Sequence, residues 1–244
     1  MLLINANRAD LLACVSQRGV AAEVGHTGTF AEHMLIILKP RRLYLFGPSP
    51  TGIDALPTTN EDPNDEQSSF RHTSVLEKFD GPICSGIVEV HRSASADVLE
   101  AIPDGHFDFI HIDANHSYSA CLADLRAFDV KVKRTGFITG RGYGAGSRAR
   151  SGRNDVVQAV KSFVIETGYA FLALTFEESP TFVIVKDPDT QEAADFVASA
   201  VRKYLVMAQN TRSSSRSRPR ARRSVTSSPS IELARIRINF LEPK

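Results

Sequence analysis

Three stretches of this chain carry residue types that chemistry needs. In FDFIHIDANHSY, Asp113 and His116 follow an apolar run ending at Ile112. A carboxylate and an imidazole just past a buried strand stand where open α/β sheets place their ligands. Asp113 could accept a proton, ligate a metal or cap the next turn, and an imidazole can act as a base at neutral pH. In AAEVGHTGTF, Gly25 and Gly28 mark a strand-to-helix turn. There the absent side chain either lets backbone approach a ligand or satisfies a tight turn. A full GxGxxG is missing, which weighs against a nicotinamide dinucleotide. The third stretch, 140–153, is rich in glycine and arginine. Its Arg141, Arg148, Arg150 and Arg153 could clamp a carboxylate or phosphate, or form a solvated basic loop.

Short β-rich runs alternate with helix-like stretches up to about residue 186, and these must position the three motifs. Strands are predicted at Val20 to Val24, Leu43 to Phe46, Ile87 to His91, Phe107 to Ile112, Phe137 to Thr139, Tyr169 to Thr175 and Thr181 to Val185. Helices are predicted at Asn7 to Gln17, Phe30 to Leu38, Ser74 to Phe79, Ala96 to Ile102, Ser119 to Val132, Asp155 to Thr167 and Asp195 to Met207. Residues 47–68, rich in Pro, Gly, Thr, Asn and Asp, read as a long loop. Such alternation implies right-handed crossovers and a Rossmann-like, mostly parallel α/β sheet of seven strands with helices on both faces. The last two strands lack a helix between them, so one closing strand runs antiparallel.

Composition narrows the function classes. With 42% hydrophobic and 23% charged residues among 244, the chain is too apolar to be disordered throughout. No apolar run approaches the roughly 18 residues of a membrane helix, so no membrane partner is expected. Arg8 and Asp10 interrupt the opening MLLINANRADLL, against a signal peptide. Cys14, Cys84 and Cys121 are isolated, read as buried thiols, and point to a reduced, cytoplasmic setting. The net charge of +1 divides unevenly: residues 208–244 hold nine Lys/Arg against two acids, and the body is mildly acidic. Three segments follow: a domain over 1–207, a disordered Arg/Ser-rich linker over 208–230, and a tail over 231–244. In the tail Ile236, Ile238 and Phe240 alternate with polar residues like an edge strand. Without tryptophan or interleaved aromatics the basic tail offers no base-stacking platform, so nucleic acid is not expected among the partners. A homo-oligomer is compatible with the sequence.

The order and character of the blocks resemble class I S-adenosylmethionine-dependent methyltransferases, and within them a bacterial small-molecule, O-methyltransferase-like group. AAEVGHTGTFAEHML, LYLFGPSP, VHRSASADVL, FDFIHIDANHSYSACLADL, RTGFITGRGYG and NDVVQAVKSF follow that group's order and intervals over residues 8 to about 186. The resemblance implies an S-adenosylmethionine pocket over the carboxyl ends of the strands. Glu23, Gly25 and Gly28 would border the methionine portion and Ala94 and Ser95 the adenine, with Asp113 also at the cofactor. Asp113 and His116 would be catalytic, and Arg141 and Tyr143 would face a small-molecule, anionic acceptor. Methyl transfer to a hydroxyl oxygen is the implied activity.

Three positions depart from the pattern. The acid that holds the ribose hydroxyls is Gly47, the acid of the next turn is Ala94, and an acidic pair that can complete a metal site is Arg141-Gly142. Asp113 alone does not make a hard-cation site, so no metal is expected. The alternative reading is a catalytically impaired protein of this fold that binds an acidic ligand or partner.

Overall fold

Strands buried on both faces form the centre of the molecule. A computed structural model describes residues 1–25, 28–47, 66–144 and 155–205. In chain order it contains β1 (Leu2–Ile4), α1 (Arg8–Leu12), β2 (Val20–Val24), α2 (Thr29–His33), β3 (Arg42–Phe46), α3 (Glu66–Lys78), α4 (Asp80–Cys84) and β4 (Val88–His91). There follow α5 (Ala96–Glu100), β5 (Phe107–Ile112), α6 (Tyr118–Asp129), β6 (Val132–Gly140), α7 (Asp155–Thr167), β7 (Ala170–Thr175), β8 (Phe182–Val185) and α8 (Gln191–Ala200). Single π-helical turns extend α2 over Met34–Leu38 and α8 over Val201–Leu205. Every residue of β2 is buried, the pattern of an interior parallel strand.

The sheet has the order β1-β7-β8-β6-β5-β2-β3-β4. β8 runs antiparallel to both neighbours, β6 and β7, and the other pairings are parallel. The chain leaves β2 towards β3 and β4 and then returns to β5 on the other side of β2. Such a reversal is where open α/β sheets leave a crevice above the carboxyl ends of the strands, here β2 and β5, and bind their ligands.

Helices cover both faces. Leu99, Leu125, Phe128, Val160 and Phe163 pack on the face that carries Val24, Phe46, Phe107 and Ile112. Leu11, Phe30, Met34, Val75 and Phe196 pack on the face that carries Leu45, Phe109 and Phe137. Phe46 meets Phe107 and Phe128 edge-on, with centroids 6.4 and 5.5 Å away. This knot ties β3, β5 and α6 together beneath the crevice, and truncating one ring to alanine costs about 3–5 kcal/mol.

Several expectations are corrected. The sheet gains an eighth strand, β1, whose Leu2 lies in register with Ala173 of β7. β6 begins at Val132, well before the expected Phe137, and α6 stops at Asp129. Lys133 in the polar start of β6 is paired with Asp108 at 2.6 Å. α3 starts inside the expected 47–68 loop. Cys84 is exposed, whereas Cys14 and Cys121 are buried. Among the described residues no helix is long and apolar enough to cross a membrane. Arg148, Arg150, Arg153 and the segments 208–230 and 231–244 lie outside the described residues.

Candidate functional site

Gly25 ends β2 with φ +81°, and its N–H donates to Phe46 O at 2.9 Å. A Cβ there would lie 2.5 Å from Ala114 Cα and Asp113 O. The close approach that requires glycine is therefore to the chain's own β5 loop. It brings Asp113 directly over the end of β2, where the Asp113 N–H donates to Val24 O at 2.9 Å. Gly28, at φ +77°, precedes α2 with room for a side chain, so only its backbone conformation favours glycine.

Asp113 is surrounded by cations. Arg8 Nη1 donates to its Oδ2 at 2.9 Å, Arg141 Nη1 lies 3.8 Å from the same oxygen, and His116 Nε2 lies 3.4 Å from Oδ1. Burial alone would raise the carboxyl, but the His116 hydrogen bond first, then His111, Arg141 and Arg8, hold it below the usual carboxylate range. Arg8 opens α1, whose start is fixed by a capping box between Asn7 and Asp10, and its guanidinium sits 5.1 Å from the Phe30 ring centroid.

His116 lies in the turn between β5 and α6. Asn115 Oδ1 accepts from the Ser117 N–H at 2.9 Å, and Ser117 caps α6 through the Ala120 N–H. The imidazole is 47% exposed, enough to meet a ligand from solvent. It rests against Gly142, where an added Cβ would come within 3.2 Å of the ring.

Beneath Asp113 two buried polar side chains face the same side of the sheet. Glu23 of β2 and His111 of β5 are register partners. His111 Nδ1 lies 2.9 Å from Thr139 Oγ1, whose hydroxyl donates to Ile110 O at 3.1 Å. The Thr139 oxygen must therefore accept, which assigns the His111 proton to Nδ1 and leaves Nε2 a bare lone pair. Among the described residues neither His111 Nε2 nor Glu23 Oε2 has a hydrogen-bond partner. Burial, with help from Arg8 and Arg141 against the opposing Asp113, drives the His111 imidazole down to about 3. Burial first and Asp113 second raise Glu23 to about 7, against Arg8, the Ala31 N–H and Lys78.

The crevice thus brings together Glu23, Asp113, His116 and Arg141, all named from sequence, with Arg8 and His111, which were not. Ser95 precedes α5 without a side-chain cap, and Ala94 is buried in the core at the end of β4. A Cβ at Gly47 would overlap Arg92 O, so the backbone leaves no room for an acid there. Tyr143 packs on Phe171 and Phe182 with centroids 5.2 and 6.1 Å away, turned partly into the core. Among the described residues no three His, Cys, Asp or Glu side chains converge as a metal site.

Comparison with known proteins bears on the fold. A model of a methyltransferase domain family matches residues 22–140, the span from β2 through β6. Fibrillarin from Aeropyrum pernix, solved with natively bound S-adenosyl-L-methionine, superposes with a TM-score of 0.51 at 13% identity, over 74% of this chain and 76% of its own. A protein from Corynebacterium glutamicum does so with a TM-score of 0.51 at 13% identity, over 75% and 80%. Precorrin-6y C5,15-methyltransferase from Geobacter metallireducens gives 0.49 at 13% identity, over 72% and 85%. None of the curated proteins matches the chain by sequence. At these identities the two likenesses with a TM-score of 0.51 show the fold alone.

Proposed function

We propose, starting from a chain that has the class I S-adenosylmethionine-dependent methyltransferase fold, that it transfers a methyl group from S-adenosylmethionine to a hydroxyl oxygen of a small, anionic molecule. The observation that carries this reading is the juxtaposition of a half-exposed His116 and a cation-held Asp113 at the crevice between β2 and β5. The residues present fit the amino end of the cofactor, because Glu23 Oε2 is a buried acceptor with no donor. At the ribose end Gly47 offers no carboxylate.

When bound, S-adenosylmethionine supplies an already activated methyl group, so the protein has to align the acceptor and remove its proton. His116 keeps one N–H toward Asp113 and presents the other ring nitrogen as the base. Asp113, kept ionised by its hydrogen bond to His116 and by the nearby Arg141 and Arg8, orients the ring and stabilises the imidazolium as it forms. This is a division of labour between the two candidates: a carboxylate held below its usual range is a weak base. Arg141 is 43% exposed beside Asp113 and would receive an acidic group of the acceptor.

A second reading is favoured by Gly47 and by the burial of Ala94, which together remove two cofactor-facing acids. Under it, the fold binds an acidic ligand through Arg141 without turnover. Calorimetric titration with S-adenosylmethionine and S-adenosylhomocysteine separates the two. Saturable binding of both supports the enzyme, and no heat at millimolar ligand leaves only the second reading.

A further inference from the structure

We infer that ligand binding in this crevice expels a proton from the protein: a ligand ammonium group docks on Glu23 Oε2, and the carboxyl releases to solvent the proton it holds when free. The inference rests on the functional reading above. Its geometric basis is that, among the described residues, the positive groups near Glu23 are engaged elsewhere. Arg8, on α1, is engaged by Asp113 at 2.9 Å. Lys78, on α3, is engaged by Glu32 of α2 at 3.0 Å. Arg141, just past β6, lies 3.8 Å from the Asp113 carboxylate and is not among the groups that act on Glu23. From β5, His111 cannot help, because its only proton is directed to Thr139 and its Nε2 has none to give. Asp113 itself is a like charge.

Glu23 is only 2% exposed. An ionised carboxylate so placed would be desolvated, with the Ala31 N–H as a donor but no cation partner, a costly state that protonation avoids. An arriving ammonium reverses the balance by supplying a charge and N–H donors to the orphaned oxygen. The exchange conserves atoms and charge: the neutral carboxyl plus the ligand ammonium become a carboxylate–ammonium pair, and one proton passes to the buffer.

The release is readable without turnover. With the free carboxyl half-protonated at about pH 7, binding should release about 0.8–0.9 proton at pH 6, about 0.5 at pH 7 and under about 0.1 at pH 8.5. Apparent affinity should climb up to about tenfold per pH unit below neutrality and level off above it. The test is calorimetric titration of the full chain with S-adenosylhomocysteine at those three pH values, each in two buffers of different ionisation enthalpy. Glu23→Gln should bind with no buffer dependence at pH 6. An analogue with hydrogen in place of the amino group should bind wild-type protein without proton release, which keeps the test independent of how the variant folds. Binding of S-adenosylhomocysteine with no proton release at pH 6, or release unchanged in Glu23→Gln, overturns this inference alone. Absence of any binding overturns the functional reading and the inference together.

Discussion

Replacing Arg8 with methionine removes the shortest cation contact of Asp113 while keeping an apolar stem over Phe30. The lost hydrogen bond joins two charged groups whose side chains are only 26% and 19% exposed, so it is worth about 1.5–3 kcal/mol. The contact of the guanidinium with Phe30 adds about 0.5–1 kcal/mol. Arg141 and His116 remain near the carboxylate and offset part of the loss, which leaves about 2 kcal/mol. For a domain of this size that corresponds to a fall of about 4–8 °C in melting temperature. The pH dependence identifies the source. Asp113 is held below its ordinary range, so its contribution is present above about pH 4 and is lost as pH falls through the folded-state value. Thermal melts at pH 7 and pH 3 should therefore show a smaller difference between wild type and variant at the second than at the first. An unchanged melting temperature at pH 7, or an equal loss at both pH values, would refute a stabilising ion pair between Arg8 and Asp113.

His116→Ala should lower turnover by about 10²–10⁴-fold with nearly unchanged cofactor affinity, and added imidazole should restore part of it; normal turnover removes His116 from the mechanism. Gly25→Ala should cost more than about 3 kcal/mol by urea unfolding, because a Cβ there meets backbone in addition to a left-handed φ. Gly28→Ala, with ordinary contacts around the added atom, should cost only about 1–2 kcal/mol. Methyl transfer should be unchanged by EDTA; a loss that Mg²⁺ restores would show metal ligands other than Asp113.

The central strands are legible in the sequence because burial on both faces leaves continuous apolar runs with sharp ends. β2 and β5 fall where VAAEV and FDFIHI place them. β1 is hidden because three residues at a sheet edge show no period. The first half of β6 is hidden for a different reason. Lys133 and Arg134 interrupt the apolar pattern, and their partners, Asp108 and Asp187, come from distant parts of the chain.

The same limit applies to the site. Asp113 and His116 are visible as a local pair just past a strand. Arg8 lies 105 residues from the carboxylate it binds and sits in a helix with no motif. His111 looks like any strand residue; only its register opposite Glu23 and its bond to Thr139 reveal a polar pair under the crevice. A neighbour from another strand could have been suspected from one signal. A histidine and a glutamate inside runs that are otherwise apolar must be paired, neutral or in use.

A crystal structure of the protein with S-adenosylhomocysteine tests the central claim most directly. The account predicts the ligand above the carboxyl ends of β2 and β5, with its amino nitrogen within hydrogen-bond distance of Glu23 Oε2 and its sulfur facing the acceptor space beside His116. A ligand bound elsewhere, or one whose sulfur is closed off from His116, would contradict it.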